Sequence, residues 1–276
     1  MKARQTTTRA ARTKSRSRTT SPTRTASRAK ALSAAEFQER ILAIMDQKHH
    51  WAWPVLMGPG ITKDQLQLHY QQEYKVYVRD FPVLLARVHG QNPPPDVRRM
   101  LAGNIYEEDT GGLSFGRSHP DLFHEMMAGL GFSRESFERT KLMPAAAAYR
   151  AWLDKATASR EWVIGAATMA IFVEGSIKDR KEILGGAEAK PTTDIEAYVS
   201  AHPLIQHHGI ARSAMDLIRA HQTVEAGHRH DAYNMVVTHA TTATQRQAVL
   251  DALRRSLRLW IAYRDAIVKA CGLRRP

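Results

Sequence analysis

His221-Gln222-Thr223-Val224-Glu225-Ala226-Gly227-His228 is the stretch on which the reading of this chain turns. At about 100° per residue, positions offset by zero, four and seven fall within one narrow stripe of a helix. His221, Glu225 and His228 therefore share a face, and Glu225 and His228 form a Glu-x-x-His pair of the kind that helical carboxylate-bridged metal proteins project into a bundle core. In isolation the same pattern also reads as a polar helix face with two solvated histidines. The distinction depends on whether the rest of the chain is helical and supplies further ligands.

Helical signals run in both directions from this stretch. Toward the N-terminus, Ser33-Ala34-Ala35-Glu36 forms a capping box ahead of Phe37, Ile41, Ile44 and Met45. A second box, Thr62-Lys63-Asp64-Gln65, opens a helix expected to reach about Gly90, with Leu66, Tyr70, Tyr74, Tyr77, Phe81 and Leu84 at helical spacing and Glu73 among them. Asn92-Pro93-Pro94-Pro95 ends it. A helix from Asp96 carries Glu107 and Glu108 to the break at Gly111-Gly112. His119-Pro120-Asp121 starts another, stopped by Gly129 to Gly131, and Ser133 and Pro144 start two more. The segment from Glu161 to Arg180 is apolar nearly all round except for Glu174, as a central bundle helix would be. Gly185 to Pro191 reads as a loop and Thr193-Asp194-Ile195-Glu196 as a third capping box. A last amphipathic helix with Val249, Leu253, Leu257, Trp260, Ile261 and Ile267 runs to Gly272. No segment shows period-two alternation, so the expected class is all-α, with about seven to nine helices.

Composition narrows the class. The chain has 276 residues, 43% hydrophobic and 24% charged, enough for a real core. No apolar run approaches the roughly 20 residues of a membrane span, and the start lacks a secretory signal. The single cysteine, Cys271, excludes an internal disulfide framework and a CxxC zinc site, so a cytoplasmic address is expected. The net charge of +13 is concentrated at one end. Lys2, Arg4, Arg9, Arg12, Lys14, Arg16, Arg18, Arg24, Arg28 and Lys30 precede the first carboxylate, Glu36, and without those ten residues 30 basic side chains face 27 acidic ones. Residues 1–30 read as a disordered basic tail and 31–276 as the folded domain. The tail suits weak contact with nucleic acid or anionic lipid, resembles a transit peptide, or simply aids solubility.

Two motifs bear on chemistry. Gly112-Leu113-Ser114-Phe115-Gly116 matches the GxSxG nucleophile elbow, but that motif needs a strand before it and a parallel sheet behind it, and neither is indicated. The carboxylates are more informative. Glu174 in an apolar helix requires a partner, either an arginine such as Arg180 or a metal ion, and Glu73 and Glu107 pose the same question. With His119 and the stretch 221–228, four carboxylates and three histidines suit two iron or manganese ions.

At residues 66–89 (LQLHYQQEYKVYVRDFPVLLARVH), 104–130, Glu174 and 221–228, the chain resembles the heme-oxygenase-like di-iron oxidases and oxygenases, whose fold is shared with TenA proteins and pyrroloquinoline-quinone synthase. The resemblance covers residues 49–240 and implies a heme-oxygenase-like helical bundle. It implies metal ligation by Glu73, Glu107, His119, Glu174, His221, Glu225 and His228, with Glu107, His119 and His221 on one iron, Glu73, Glu225 and His228 on the other, and Glu174 shared. Two irons, or manganese or a mixed pair, would activate O₂ to oxidise a small amino-acid-like or fatty-acid-like substrate by N-oxygenation, desaturation or oxidative C–C cleavage. An external electron donor and a homodimer are implied too. Ser114 to Arg117 look inserted relative to the family pattern, which leaves Glu108 as an alternative to Glu107. The Glu174 to His221 spacing is also long, and Glu225 stands where Asp is common. The alternative within the fold is a metal-free protein, quinone-synthase-like or TenA-like, that binds a small aromatic ligand. TenA hydrolases use a cysteine nucleophile, and only Cys271 is present.

Overall fold

Ser33 begins the first helix as its sequence dictates. In the computed structural model, which describes residues 32–185 and 191–275 with the side chains of Glu225 and Ala226 excepted, the Ser33 amide donates to the Glu36 carboxylate at 2.7 Å and the Glu36 amide to Ser33 Oγ at 3.2 Å. The expected tail at 1–30 lies outside the described residues. Helix α1 (Ala34–Met45) buries Phe37, Ile41, Leu42, Ile44 and Met45, and α2 (Trp53–Leu56) is a single turn in the connector.

Helix α3 (Lys63–Glu73) opens at the Thr62–Gln65 capping box but does not continue unbroken to Gly90. After Glu73 the chain widens into a π-helical segment, Tyr74–Val78, in which the Arg79 amide reaches back five residues to the Tyr74 carbonyl at 3.1 Å. It leaves helical geometry at Asp80 (φ −114°, ψ 11°) and restarts as α4 (Phe81–His89). Pro82 explains the position of the break: without an N–H and with its ring against the preceding turn, it is tolerated only in a helix's first turn. Leu66, Tyr70, Tyr74, Phe81 and Leu84 stay buried across the interruption, so the apolar stripe survives where the helix does not.

Helix α5 (Pro95–Thr110) ends on Gly111 in the left-handed conformation, φ 62°. Next come α6 (His119–Gly129), whose first turn is capped by Ser118, α7 (Arg134–Glu138) and α8 (Pro144–Thr157). The central helix expected over 161–180 is α9 (Trp162–Ala166) running into a second π-helical segment, Ala167–Val173. Its closing bond is again a five-residue step, from the Glu174 amide to the Met169 carbonyl at 3.2 Å. Residues Ala167 to Phe172 are all buried. Burying Met169, Ile171 and Phe172 contributes about 1.5–3 kcal/mol each, which offsets the poorer backbone geometry.

Helix α10 (Asp179–Gly185) is next, then α11 (Thr192–Ser200), where the third capping box is absent. Pro191 occupies the cap position, and the Glu196 carboxylate instead accepts from Arg212 (2.7 Å) and Arg219 (2.6 Å). After α12 (Pro203–His208), α13 (Asp216–His239) carries the stretch 221–228. Helix α14 (Ala243–Ala270) starts at a capping box formed by Thr242 and Gln245 and ends before Gly272. Nine of these helices have nine residues or more, and no strand occurs among the described residues. The π segment 167–173 is buried within the bundle, packed against α13, α14 and α8. None of the helices among the described residues is long and apolar enough to cross a membrane.

Candidate metal centre

Four of the seven expected ligands line one cavity of about 140 Å³. His119 enters it from α6, Glu174 from the end of the second π segment, and His221 and His228 from α13. The fifth polar wall is Glu108. The rings of His119 and His221 meet edge-on at 5.0 Å, and His228 Nδ1 lies 3.8 Å from Glu174 Oε1. Tyr77, Val78, Phe81, Val173, Leu217 and Val224 complete the wall and keep the site largely apolar. The second π segment matters here: one extra residue in the turn rotates the residues after it by roughly 100° about the axis, which sets the face on which Glu174 emerges.

The other three expected ligands are placed differently. The Glu225 side chain lies outside the described residues. Glu107 is fully buried but absent from the cavity wall. Its carboxylate accepts the Leu113 amide at 2.7 Å, the Ser114 hydroxyl, and His119 Nε2 at 3.3 Å. Glu73 is bound by Arg264 of α14, whose Nη2 donates to it at 2.6 Å, and by the Tyr77 hydroxyl. Burial pushes the Glu73 carboxyl up, but the Arg264 guanidinium, with His69 and the Tyr77 hydrogen bond, outweighs this and holds it at about 2. Arg180 pairs with Glu39 and Asp46, so the partner it was expected to offer Glu174 is replaced by Asn104, whose Nδ2 donates to Glu174 Oε1 at 2.8 Å.

Two histidines respond oppositely to their surroundings. Burial lowers the pKa of His228 despite Glu108 and Glu107, which favours the neutral ring that a metal requires. Burial acts the same way on His119, yet Glu108 and Glu107, on either side of the ring, win and raise its pKa. Glu107 remains ionised, because the Ser114, Leu113 and His119 hydrogen bonds overcome its burial.

A second cavity of about 470 Å³ adjoins the first and shares Tyr77, Val173, Glu174 and His221 with it. Its other walls include Glu73, Arg264, Trp53, Tyr149 and Trp260. Arg264 is 2% exposed and stacks over Trp53 (4.7 Å), Tyr263 (4.8 Å) and Trp260 (5.3 Å). This cavity has the size and the mix of apolar and polar groups of a small-molecule site.

Three imidazoles and two carboxylates around the smaller cavity are ligand types that iron or manganese accepts. His119 Nδ1 is buried and 2.9 Å from Glu108 Oε1, yet it is not aligned for a hydrogen bond. That arrangement suits two groups directed at a shared cation. Among the described residues no three of these groups already stand at metal-holding separation. The donor types therefore fit a metal, although their separations are wider than a bound ion would hold them.

Residues 68–261 match the family described as iron-containing redox enzymes. The chain belongs to the iron-containing redox enzyme family. Its relatives include the 4-aminobenzoate synthase of Chlamydia muridarum, 30% identical over 115 residues that make up 41% of this chain and 47% of that protein. That of Chlamydia trachomatis serovar D is 27% identical over 115 residues, 41% and 48% of the two chains. The chain spans about half the length of the curated relatives it matches. Similar solved structures include a TenA homolog from Pseudomonas syringae pv. tomato, with TM-score 0.60, 14% identity and coverage of 86% of this chain and 91% of that one. A domain with a heme oxygenase-like fold from Shewanella denitrificans gives TM-score 0.57 at 17% identity, with 86% and 89% covered. At these identities the likeness is one of fold, and the fold is the heme-oxygenase-like bundle expected from the sequence.

In this member of the iron-containing redox family, sequence reasoning passed over Arg264 and Asn104. Arg264 had a legible signal, since it falls four residues after Trp260 and three before Ile267 on the apolar stripe of α14. A charge on that stripe calls for a buried partner. Asn104 carries no comparable mark.

Proposed function

We propose that this chain is an O₂-dependent oxidase or oxygenase with a dinuclear iron site, acting on a small molecule held in the larger cavity. The supporting observation is that His119, Glu174, His221, His228 and Glu108 all line one cavity, carried there by four helical elements. Glu225, on the same helix as His221 and His228, completes the donor set by its position in sequence. Glu73 is left to Arg264 and Glu107 to the loop and to His119. Ferrous iron bound there would supply the electrons that reduce O₂.

The protein's own part is positioning and local polarity. Val173, Leu217 and Val224 give the donors apolar neighbours, and low local polarity strengthens charge interactions among them. A molecule in the larger cavity would lie against the donors across the shared wall of Tyr77, Val173, Glu174 and His221. Trp53, Tyr149 and Trp260 offer flat apolar faces, and Arg264 with its pendant Glu73 offers a charged end. These walls suit an amino-acid-like or aromatic amine substrate, in keeping with relatives named 4-aminobenzoate synthase.

The same aromatic walls support a second reading, a metal-free protein that binds a small aromatic compound. Anaerobic reconstitution with Fe(II) separates the two. Uptake near two irons per chain, lost in His221→Ala and His228→Ala, supports the di-iron site. Absence of uptake, or uptake unchanged in both variants, overturns it.

A further inference from the structure

The Gly112–Gly116 stretch, which mimics a nucleophile elbow, has a different use in the folded chain. We propose that Glu107 is a positioning residue that keeps the His119 proton on Nε2 so that Nδ1 presents its lone pair to the cavity, and that the 111–117 loop exists to hold Glu107 in that role. The inference rests on the dinuclear metal reading. It concerns the tautomer of one ring, which can be read with or without metal.

The loop is built around the carboxylate. Gly111 turns the chain at φ 62°, and the amides of Ser114 and Gly116 both donate back to the Gly111 carbonyl, at 2.9 and 2.8 Å. That turn aims the Leu113 amide at Glu107 Oε2 (2.7 Å) and the Ser114 hydroxyl at Glu107 Oε1. An ionised carboxylate only accepts hydrogen bonds. His119 Nε2, 3.3 Å from Oε1 and aligned with it, must therefore carry a proton. The opposite nitrogen, Nδ1, lies 2.9 Å from Oε1 of the cavity-lining Glu108, outside hydrogen-bond alignment. Metal-bound imidazoles are commonly fixed in this way by a carboxylate on the far nitrogen, which also raises their basicity.

The geometry makes Glu107→Gln an unusually sharp probe. The Leu113 amide is a fixed donor, so the glutamine must turn its carbonyl oxygen to that side and its NH₂ toward His119. Nε2 then faces a donor, must act as acceptor, and the proton moves to Nδ1, where it blocks metal binding. Ser114→Ala removes one hydrogen bond but leaves an acceptor opposite Nε2, so the tautomer should stay.

The test uses ¹⁵N-histidine-labelled protein of the full chain, read by long-range ¹H–¹⁵N correlation. Wild type is measured metal-free at a pH alkaline enough to leave the ring neutral, and again loaded with diamagnetic Zn(II). Wild type and Ser114→Ala should show Nε2–H in both states. Glu107→Gln should show Nδ1–H and bind Zn(II) about 10–100-fold more weakly. A neutral metal-free wild type with Nδ1–H overturns the proposal, and so does Glu107→Gln with wild-type tautomer and affinity. Lost affinity with an unchanged tautomer would make Glu107 a direct ligand and overturn it too. If Glu107→Gln does not fold, the wild-type and Ser114→Ala tautomers still decide. Nε2–H in a wild type that binds no metal would support the clamp and sink the metal reading instead.

Discussion

Replacing Arg264 with methionine isolates the consequence of burying Glu73. Both side chains lie inside the bundle, joined by a 2.6 Å hydrogen bond between α14 and α3. Methionine is of similar length and fills the slot among Trp53, Trp260 and Tyr263, so the lost charge dominates over lost volume. Breaking a buried pair from one side typically costs about 3–5 kcal/mol, because the remaining charge is uncompensated. Against a usual total of about 5–15 kcal/mol, that leaves a marginal fold. With a urea dependence of roughly 2–3 kcal/mol per molar, the unfolding midpoint should fall by about 1–2 M. The double variant Glu73→Gln/Arg264→Met should recover part of the loss, since the orphan charge is gone. The pH dependence gives a second readout of opposite sign. In the wild type the Glu73 carboxyl is held at about 2, below its unfolded value, so its contribution is fully present above the unfolded pKa and fades as pH falls toward 2. In Arg264→Met the guanidinium is gone and burial, the largest influence, is opposed only by His69 and the Tyr77 hydrogen bond, so the folded pKa should rise above the unfolded one and stability should increase as pH falls from neutrality. Urea titrations followed by far-ultraviolet circular dichroism measure both. A single variant within about 1 kcal/mol of wild type, or a double variant no more stable than the single, would refute the assignment of Glu73 to a buried ion pair.

Other consequences are testable one by one. Tyr77→Phe removes the hydroxyl that donates to Glu73 and accepts from Arg264, and should cost about 1.5–3 kcal/mol in urea unfolding while moving the acid limb to higher pH. Gly111→Ala and Gly116→Ala both place a Cβ at positive φ, but only at Gly111 does that Cβ run into the backbone of Arg117. Gly116→Ala should therefore cost about 1 kcal/mol and Gly111→Ala clearly more, by thermal melting, with weakened Zn(II) binding only in the latter. Cys271 is buried, and burial pushes its thiol up, so thiol reagents should react slowly with the native protein and rapidly in urea; fast native labelling would contradict its packing at the end of α14.

Much of the fold was legible because capping and termination are local chemistry. Ser33, Thr62, the Pro93–Pro95 run and Gly272 delimit helices where the sequence says they must. The Thr193 box failed for a local reason as well: Pro191 already supplies a helix start, and Glu196 has arginines to bind. Of the candidate site, the residue types were legible and the individual roles less so. Glu107 and Glu108 are adjacent in sequence and about 100° apart on a helix, so only the three-dimensional placement of His119 separates the one that faces the cavity from the one that faces the loop. Glu73 looked like a ligand because a carboxylate among tyrosines demands a cation, and sequence cannot tell an arginine 191 positions away from a metal ion.

The two π-helical segments carry a consequence for anyone who edits or aligns this chain. Each is a place where the helix holds one residue more than its hydrogen-bond ladder needs, with Glu73 immediately before the first and Glu174 immediately after the second. Phase is therefore kept by the count of residues, not by their identity. Deleting one residue between Ala167 and Val173 would let that stretch relax into a regular α-helix, with each apolar side chain still in an acceptable setting. It would also turn Glu174 to a different compass bearing. A substitution scan of that stretch would report only packing, whereas a single-residue deletion would change where the carboxylate points.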